Sequence, residues 1–274
     1  MEINSKIIHE IINSMGISPN KDLGQNFLVD PAISKRISDA ASVNANDKLL
    51  EVGGGLGSIT HFLLESDADF DVVDLDERMC WFLENSYANS NVTIINSDIR
   101  KVDVSSYTKI VGNLPYYITT ELITYLLLNS TKCEKMLFMI QSEAVERFVA
   151  KEGKEYGAIS VLVHLLGTPK KLFAVKPGSF YPMPKCGSTV FQIELNGNID
   201  REKALCVYKM AKQLFLNRRK TILNNLNNYL NNKDLAVKTL QNLNVLETTR
   251  PEQLSPMQYV EIYDELNKNG NKGC

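Results

Sequence analysis

Two short stretches carry residue types that can hold a ligand and act on a substrate. Gly53-Gly54-Gly55-Leu56-Gly57 follows the apolar run Leu49-Leu50-Glu51-Val52 and precedes Ile59, Phe62 and Leu63 at helical spacing. Strand, glycine turn and helix in that order form the first step of a doubly wound nucleotide-binding fold. The glycines permit positive φ and let a ligand approach where a Cβ would stand, so Gly53 and Gly55 are expected against it. The second stretch is Asn113-Leu114-Pro115-Tyr116. An exocyclic amine on a base is a poor nucleophile, because its lone pair is delocalised into the ring. The amide oxygen of Asn113 and the carbonyl of Leu114 can accept its two hydrogens and stabilise the positive charge that develops on it. Pro115 fixes φ and so holds the Leu114 carbonyl. Tyr116 offers a ring on which a base can stack. A ligand-free turn is the alternative for each stretch, since glycine-rich and N-x-P turns are common.

The residues after the glycine turn narrow the ligand. A second strand, Phe70–Val73, ends in Asp74, 21 residues after Gly53, where an acid can accept both ribose hydroxyls of an adenosine. The nicotinamide fingerprint wants glycine or alanine where this chain has Ser58, and no G-x-x-x-x-G-K-[ST] phosphate loop occurs. Glu51 directs a carboxylate at the loop, which suits a cationic ligand better than a pyrophosphate. S-adenosylmethionine, a sulfonium with an ammonium group, fits both acids. Asp98, just past the strand Val92–Ile95, lies where it can accept from an adenine amino group, or it simply caps a turn.

These residues need a scaffold, and the periodicities supply one. A helix is expected over residues 3–15, then a polar-aromatic loop, Asn20–Asp30, then a helix from Pro31 to Ala41. The third to fifth strands are Val92–Ile95, Lys109–Gly112 and Met136–Ile140. A helix over Leu75–Asn85, with Trp81 and Phe82 against the sheet, joins the second strand to the third, and one over Thr120–Leu128, capped by Thr119, joins the fourth to the fifth. Ser142–Ala150 and Ala158–Leu166 read as helices. Leu172–Val175 and Thr189–Leu195 read as a closing hairpin whose connector, Lys176–Ser188, is stiffened by three prolines. The fold class is α/β, with seven strands alternating with helices. After Asn196-Gly197-Asn198 only helical periods appear. The boundary is therefore placed between a nucleotide-binding domain, 1–198, and a helical domain, 199–274.

A chain of 274 residues with 44% apolar content can bury a full core. No run of 18 apolar residues occurs, which excludes a membrane-spanning helix, and the N-terminus lacks the shape of a signal peptide. Five scattered cysteines without a C-x-x-C pair point to reduced thiols in the cytoplasm and to no metal site. His164, in an apolar run, reads as a core histidine. The net charge of −2 conceals an asymmetry. Residues 1–134 hold 10 basic and 19 acidic side chains, residues 135–220 hold 15 and 7, and residues 221–274 hold 5 and 6. A basic middle third, with Arg147, Lys185, Arg218, Arg219 and Lys220, is the footprint of a nucleic-acid backbone, with solvated helix faces as the alternative. Phe180 and Tyr181 lie between Pro177 and Pro182, and either ring can form a second wall that sandwiches a flipped base against Tyr116.

Six ordered motifs carry a family resemblance. They are LGQNFLVD at 23–30, EVGGGLGSIT at 51–60, GNLPYYIT at 112–119, QSEAVERFVAKEGKEYGAISVLV at 141–163, FYPMPK at 180–185 and FLNRRKTILNNL at 215–226. From Leu23 to about Pro256 the chain resembles the ribosomal RNA adenine dimethyltransferases, most closely the branch acting on small-subunit (16S) ribosomal RNA. That resemblance implies a Rossmann-like methyltransferase domain with a small helical C-terminal domain. It implies dimethylation of the adenosine 6-amino group from S-adenosylmethionine, linked to ribosome biogenesis. The implied cofactor contacts are Asn26, Leu28, Gly53, Asp74, Asp98 and Asn113, and the implied base-stacking rings are Tyr116 and Phe180. The related branch that methylates large-subunit RNA usually reads isoleucine at the position of Leu114 and lacks the segment at 218–221. Four departures stand out. Gly54 replaces a usual proline, which is expected to loosen the loop. Asp74 replaces a usual glutamate. Cys186-Gly187 replaces valine-aspartate. Lys21 and Asp22 precede Gly24 where two or more bases are common. The rival readings are a large-subunit methyltransferase and an assembly factor with weak catalysis. No coiled-coil heptad occurs, and a monomer is expected.

Overall fold

The computed structural model describes residues 3–16, 19–20 and 24–268. Leu23, Lys21, Asp22 and Cys274 lie outside the described residues. In chain order the elements are α1 (Ser5–Met15), β1 (Phe27–Leu28), α2 (Pro31–Ala41), β2 (Lys48–Val52), α3 (Thr60–Leu63), β3 (Asp69–Asp74), α4 (Glu77–Ser86) and β4 (Val92–Asn96). There follow β5 (Lys109–Asn113), α5 (Thr119–Asn129), β6 (Lys135–Gln141), α6 (Ser142–Val149), α7 (Ala158–Leu166), β7 (Gly167–Val175), β8 (Phe180–Tyr181) and β9 (Ser188–Leu195). The chain ends in α8 (Arg201–Leu214), α9 (Ile222–Leu230), α10 (Lys233–Asn242) and α11 (Pro256–Lys268). It divides into two compact units, Met1–Val145 with Lys170–Leu195, and Glu146–Pro169 with Asn196–Cys274.

The first unit is built on a seven-stranded sheet of order β4-β3-β2-β5-β6-β9-β7. The first five strands in that order are parallel, and β9 runs antiparallel to β6. The inner strands are mostly apolar, as expected of parallel strands buried on both faces, with Glu51 the buried exception in β2. Leu49, Phe70, Val72, Val111, Leu137 and Met139 are all buried in one core cluster. Strand order reverses at β2, where β3 lies on one side and β5 on the other. The register pairs Val52 with Val73 and with Gly112, so the carboxyl ends of these strands finish level. A reversal point is where such a sheet opens a crevice for ligands. The helices start where local chemistry dictates. Asp30 accepts from the Ile33 amide and Pro31 opens α2, while Asp76 accepts from the Arg78 amide at the start of α4.

Three expectations change here. Trp81 does not face the sheet, being 58% exposed, whereas Phe82 packs on the cluster formed by α1. The helical period turns Met79, Cys80 and Leu83 inward and leaves Trp81 on the outer face. Phe27–Leu28 and Phe180–Tyr181, expected as loops, pair as a two-stranded antiparallel sheet. Two-residue strands have no periodicity to read. Gly54 does not loosen its loop, because Val72 and Leu83 occupy the room left by its missing side chain.

The second unit is helical. Its core joins Tyr156, Val161 and Leu165 to Val207, Met210, Leu214, Ile222, Leu226, Leu240 and Tyr259. Residues 146–169, read from the sequence as part of the first domain, therefore cluster with the helices after Asn196. Their apolar face needs a partner, and contact rather than chain order assigns one. His164 is half-buried and bonds the Ala150 carbonyl at 3.0 Å, with its pKa lowered by burial. Cys80, Cys133 and Cys186 are free thiols.

Gly54 lies outside the positive-φ region, so its requirement is steric. A Cβ there would stand 2.4 Å from Val72 Cγ1 and 2.9 Å from Leu83 Cδ1. Gly54→Ala is expected to cost about 1–3 kcal/mol as an overpacked site. In the Gly54→Ala background, Val72→Ala should recover part of that loss. Denaturant unfolding checks both, and an unchanged midpoint for Gly54→Ala would show that the loop has spare room.

Candidate functional site

The glycine turn after β2 has positive φ at Gly53, Gly55 and Gly57, at 79°, 53° and 80°. Its amides are held from below. Gly53 N–H donates to the Val73 carbonyl at 2.8 Å, and Gly55 N–H donates to Asp74 Oδ2 at 2.9 Å. The other Asp74 oxygen accepts from the Asp76 amide at 2.9 Å. Burial pushes the Asp74 carboxyl above its ordinary range, and these backbone bonds oppose that rise. Asp76 extends the network by accepting from Arg78 Nε and from Gln25 Nε2, at 2.9 and 2.8 Å. The Arg78 guanidinium holds Asp76 below the usual carboxylate range. Ser58, where a nicotinamide site wants a smaller residue, donates its hydroxyl to the Leu28 carbonyl at 2.6 Å. That bond fastens β1 to the glycine turn.

Asp98 caps the turn after β4 by accepting from the Arg100 amide at 3.0 Å. The Arg100 guanidinium bonds both Asp98 oxygens and also pairs with Glu121 at the start of α5. Arg100 therefore depresses the Asp98 pKa. Sequence reasoning missed Arg100 and Glu121. The i, i+2 spacing of Asp98 and Arg100 was the one available signal, and it is too common to single out.

At the end of β5, Asn113 Nδ2 donates to the Asn26 carbonyl at 3.2 Å. A carbonyl only accepts, so the NH2 of the amide must face it. No described group donates to Asn113 Oδ1, which remains as a free acceptor. Asn26 in turn donates its own amide to the Gly24 carbonyl at 3.0 Å. The Leu114 amide donates to the Met139 carbonyl at 3.1 Å, and the Thr119 hydroxyl donates to the Pro115 carbonyl at 2.9 Å. Thr119 is thus the first residue of α5 rather than its cap, and it braces the Pro115 turn. Tyr116 is half-buried, with its hydroxyl 2.9 Å from Ser188 Oγ.

Asn26, Leu28, Gly53, Gly55, Asp74, Asp98 and Asn113 line one cavity together with Leu114, Pro115 and Tyr116. Tyr117, 61% exposed, joins them and was not foreseen. Phe180 does not line this cavity. It is 4% exposed in the core beside Leu28, because the connector that carries it pairs with β1. Tyr181 packs its ring edge-on to His9 at 4.5 Å. Among the basic residues, Arg147, Lys185, Arg219 and Lys220 are exposed. Arg218 is not a free cation. It donates to the Lys154 and Gly153 carbonyls at 2.7 and 3.1 Å and lies 3.9 Å from Glu252. Among the described residues no group of three His, Cys, Asp or Glu side chains can hold a metal ion. Among the described residues no helix is long and apolar enough to cross a membrane.

The cavity wall is acidic. Glu51, Asp74 and Asp98 line it, and the guanidinium of Arg100 is already committed to two carboxylates. Glu51 is 1% exposed and accepts from the Thr60 hydroxyl at 2.6 Å. Burial pushes its pKa up to about 8, with the Thr60 bond opposing and Asp74 adding. Between its ordinary 4.5 and about 8 the folded chain binds a proton that the unfolded chain has lost, so stability falls as pH rises through that window. Glu51→Gln is expected to flatten the decline, with a residue left from Asp74. Urea unfolding from pH 5 to 8.5 measures this, and parallel curves for the two proteins would refute it.

Comparison with known proteins identifies the family. Residues 16–268 match the family model for ribosomal RNA adenine dimethylase. A ribosomal RNA small subunit methyltransferase A of Mesomycoplasma hyopneumoniae is 34% identical over 90% of this chain and 95% of its own length. One from Streptococcus gordonii is 30% identical over 96% and 97%. The crystal structure of a dimethyladenosine transferase from Plasmodium falciparum aligns with a TM-score of 0.76 at 25% identity, covering 89% of this chain and 98% of that one. A family match over nearly the whole length, on a sheet whose reversal point carries the glycine turn and Asn113, places this chain in the ribosomal RNA adenine dimethylase family.

Proposed function

We propose that the chain transfers methyl groups from S-adenosylmethionine to the 6-amino group of adenosines in small-subunit ribosomal RNA. The single observation that carries the chemical reading is the Asn113 side chain. Its NH2 is occupied by the Asn26 carbonyl, and its oxygen is left as an acceptor on the cavity wall. A cationic adenosyl ligand would favour the ionised form of the carboxyl groups on the wall. Asn26, Leu28, Gly53, Gly55, Asp74 and Asp98 would hold it, and when bound it supplies an electrophilic methyl group. Asp74 already accepts two backbone amides, so a ribose contact uses the remaining lone pairs of the same oxygens.

The chain's own part in the reaction is alignment and charge stabilisation. Asn113 Oδ1 and the Leu114 carbonyl accept the hydrogens of the target amine. Their pull favours the pyramidal, nucleophilic form and stabilises the charge that grows on nitrogen. The alkylated amine is acidic and loses its proton to water, so no strong general base is required. Tyr116 offers its ring to the base, a stack worth roughly 1–3 kcal/mol. Holding amine and methyl in line supplies much of the remaining acceleration. The exposed Arg147, Lys185, Arg219 and Lys220 serve the RNA backbone, while Arg218 supports the fold of the helical unit.

Labelled methyl transfer to small ribosomal subunits that lack the modification tests the activity, with primer-extension stops mapping the adenosines. Incorporation confined to large-subunit RNA would move the target, and none at all would leave an assembly factor. Asn113→Ala is expected to lower the single-turnover rate at saturating cofactor and RNA by about 10²–10³, with RNA affinity nearly unchanged. A wild-type rate would refute the role of the amide. Arg219→Glu with Lys220→Glu should weaken RNA binding and flatten its salt dependence. Arg218→Ala should instead lower the unfolding temperature. Equal effects of both changes on RNA binding alone would show that Arg218 acts as a phosphate contact.

A further inference from the structure

We propose that Ser188 is a positioning residue that holds the Tyr116 ring as the surface on which the target base stacks. The proposal rests on the reading of Tyr116 as the stacking ring. Tyr116 follows Pro115, and its backbone is braced by the Thr119 hydroxyl on the Pro115 carbonyl. Its ring still has two torsions, and staggered rotamers would point it in different directions. The phenol hydroxyl lies 2.9 Å from Ser188 Oγ, with either group able to donate. Ser188 is wholly buried, whereas Tyr116 lines the cavity. The bond therefore runs from a wall of the cavity into the interior.

The anchor is itself tied into the sheet. Ser188 opens β9 and pairs with Gln141 of β6 at the end of a seven-pair antiparallel ladder. On one side of it, the Ser142 amide donates to the Gly187 carbonyl at 3.1 Å. On the other, the Ser142 and Thr189 hydroxyls lie 2.9 Å apart. Gly187 permits this close seating, since a Cβ there would stand 3.2 Å from the Val175 carbonyl oxygen. A site residue is held precisely when its support is part of the sheet. Ser188 extends that support to the tip of the Tyr116 ring. Cys186-Gly187, the departure noted beside this segment, leaves the anchoring serine in place.

The test compares Ser188→Ala, Tyr116→Phe, their double variant and Tyr116→Ala in full-length protein. It uses unmodified small-subunit RNA, with mono- and dimethyladenosine resolved by mass spectrometry. Each of the first two removes the same hydrogen bond and is expected to lower kcat/KM for RNA about three- to tenfold. The loss should fall mainly in KM, and a larger share of product should stop at one methyl. Cofactor affinity by calorimetry should be unchanged. The double variant should be no worse than either single one, because the two changes break one interaction. Tyr116→Ala should be more damaging than all three. Additive losses, or a normal Ser188→Ala beside a damaged Tyr116→Ala, would overturn the positioning role. A normal Tyr116→Ala would refute the stacking reading itself, and the positioning role with it.

Discussion

The carboxylate of Asp74 is the junction on which the cavity depends. It stands at the carboxyl end of β3 and accepts the amides of Gly55 and Asp76 on its two oxygens. One bond sets the glycine turn after β2, and the other sets the start of α4. Through Asp76 the same network reaches Arg78 and Gln25, and so the segment that precedes β1. The side chain is one methylene shorter than the glutamate usual in the family, and it meets both amides directly. The acid proposed to hold a ribose thus also builds the wall around it. Its proposed ligand-binding role and its structural role cannot be separated by removing the side chain.

A second constraint acts across the cavity. The Asn113 amide has two ends, and only one suits a target amine. The Asn26 carbonyl fixes which end that is, and Asn26 is held by its own side chain on the Gly24 carbonyl. The acceptor that faces the cavity is therefore oriented by a backbone group 87 residues earlier in the chain. The same logic of remote support recurs at Tyr116, whose hydroxyl reaches a buried serine of β9. Both reactive-stretch side chains are aimed by partners that lie on other elements.

The charge asymmetry of the sequence has two components that only coordinates separate. Arg219 and Lys220 lie exposed in the turn between α8 and α9, free to meet a phosphate backbone. Their neighbour Arg218 is bound to two carbonyls, lies near Glu252 and has its guanidinium 5.7 Å from the Phe215 ring centroid. Three adjacent bases read alike in a sequence. A guanidinium has five donors and a long apolar stem, so it serves equally well as an internal tie and as an external contact.

What the sequence determined by itself follows from local rules. The glycine turn, the apolar strands, the start of α2 at Pro31 and the Asn113–Tyr116 stretch each depend on residues within a few positions of one another. All were legible, and with them the α/β class and the cavity. The tertiary structure alone decided the rest. It paired β1 with β8, Phe27 with Tyr181 and Leu28 with Phe180, and buried Phe180 in the core. It turned Trp81 outward, and it moved residues 146–169 into the helical unit. It also matched the space at Gly54 to Val72 and Leu83. Each of these outcomes depends on which surface meets which after folding. A hydrogen bond or a packed methyl between distant positions leaves no periodicity in the chain, so no reading of neighbours can recover it.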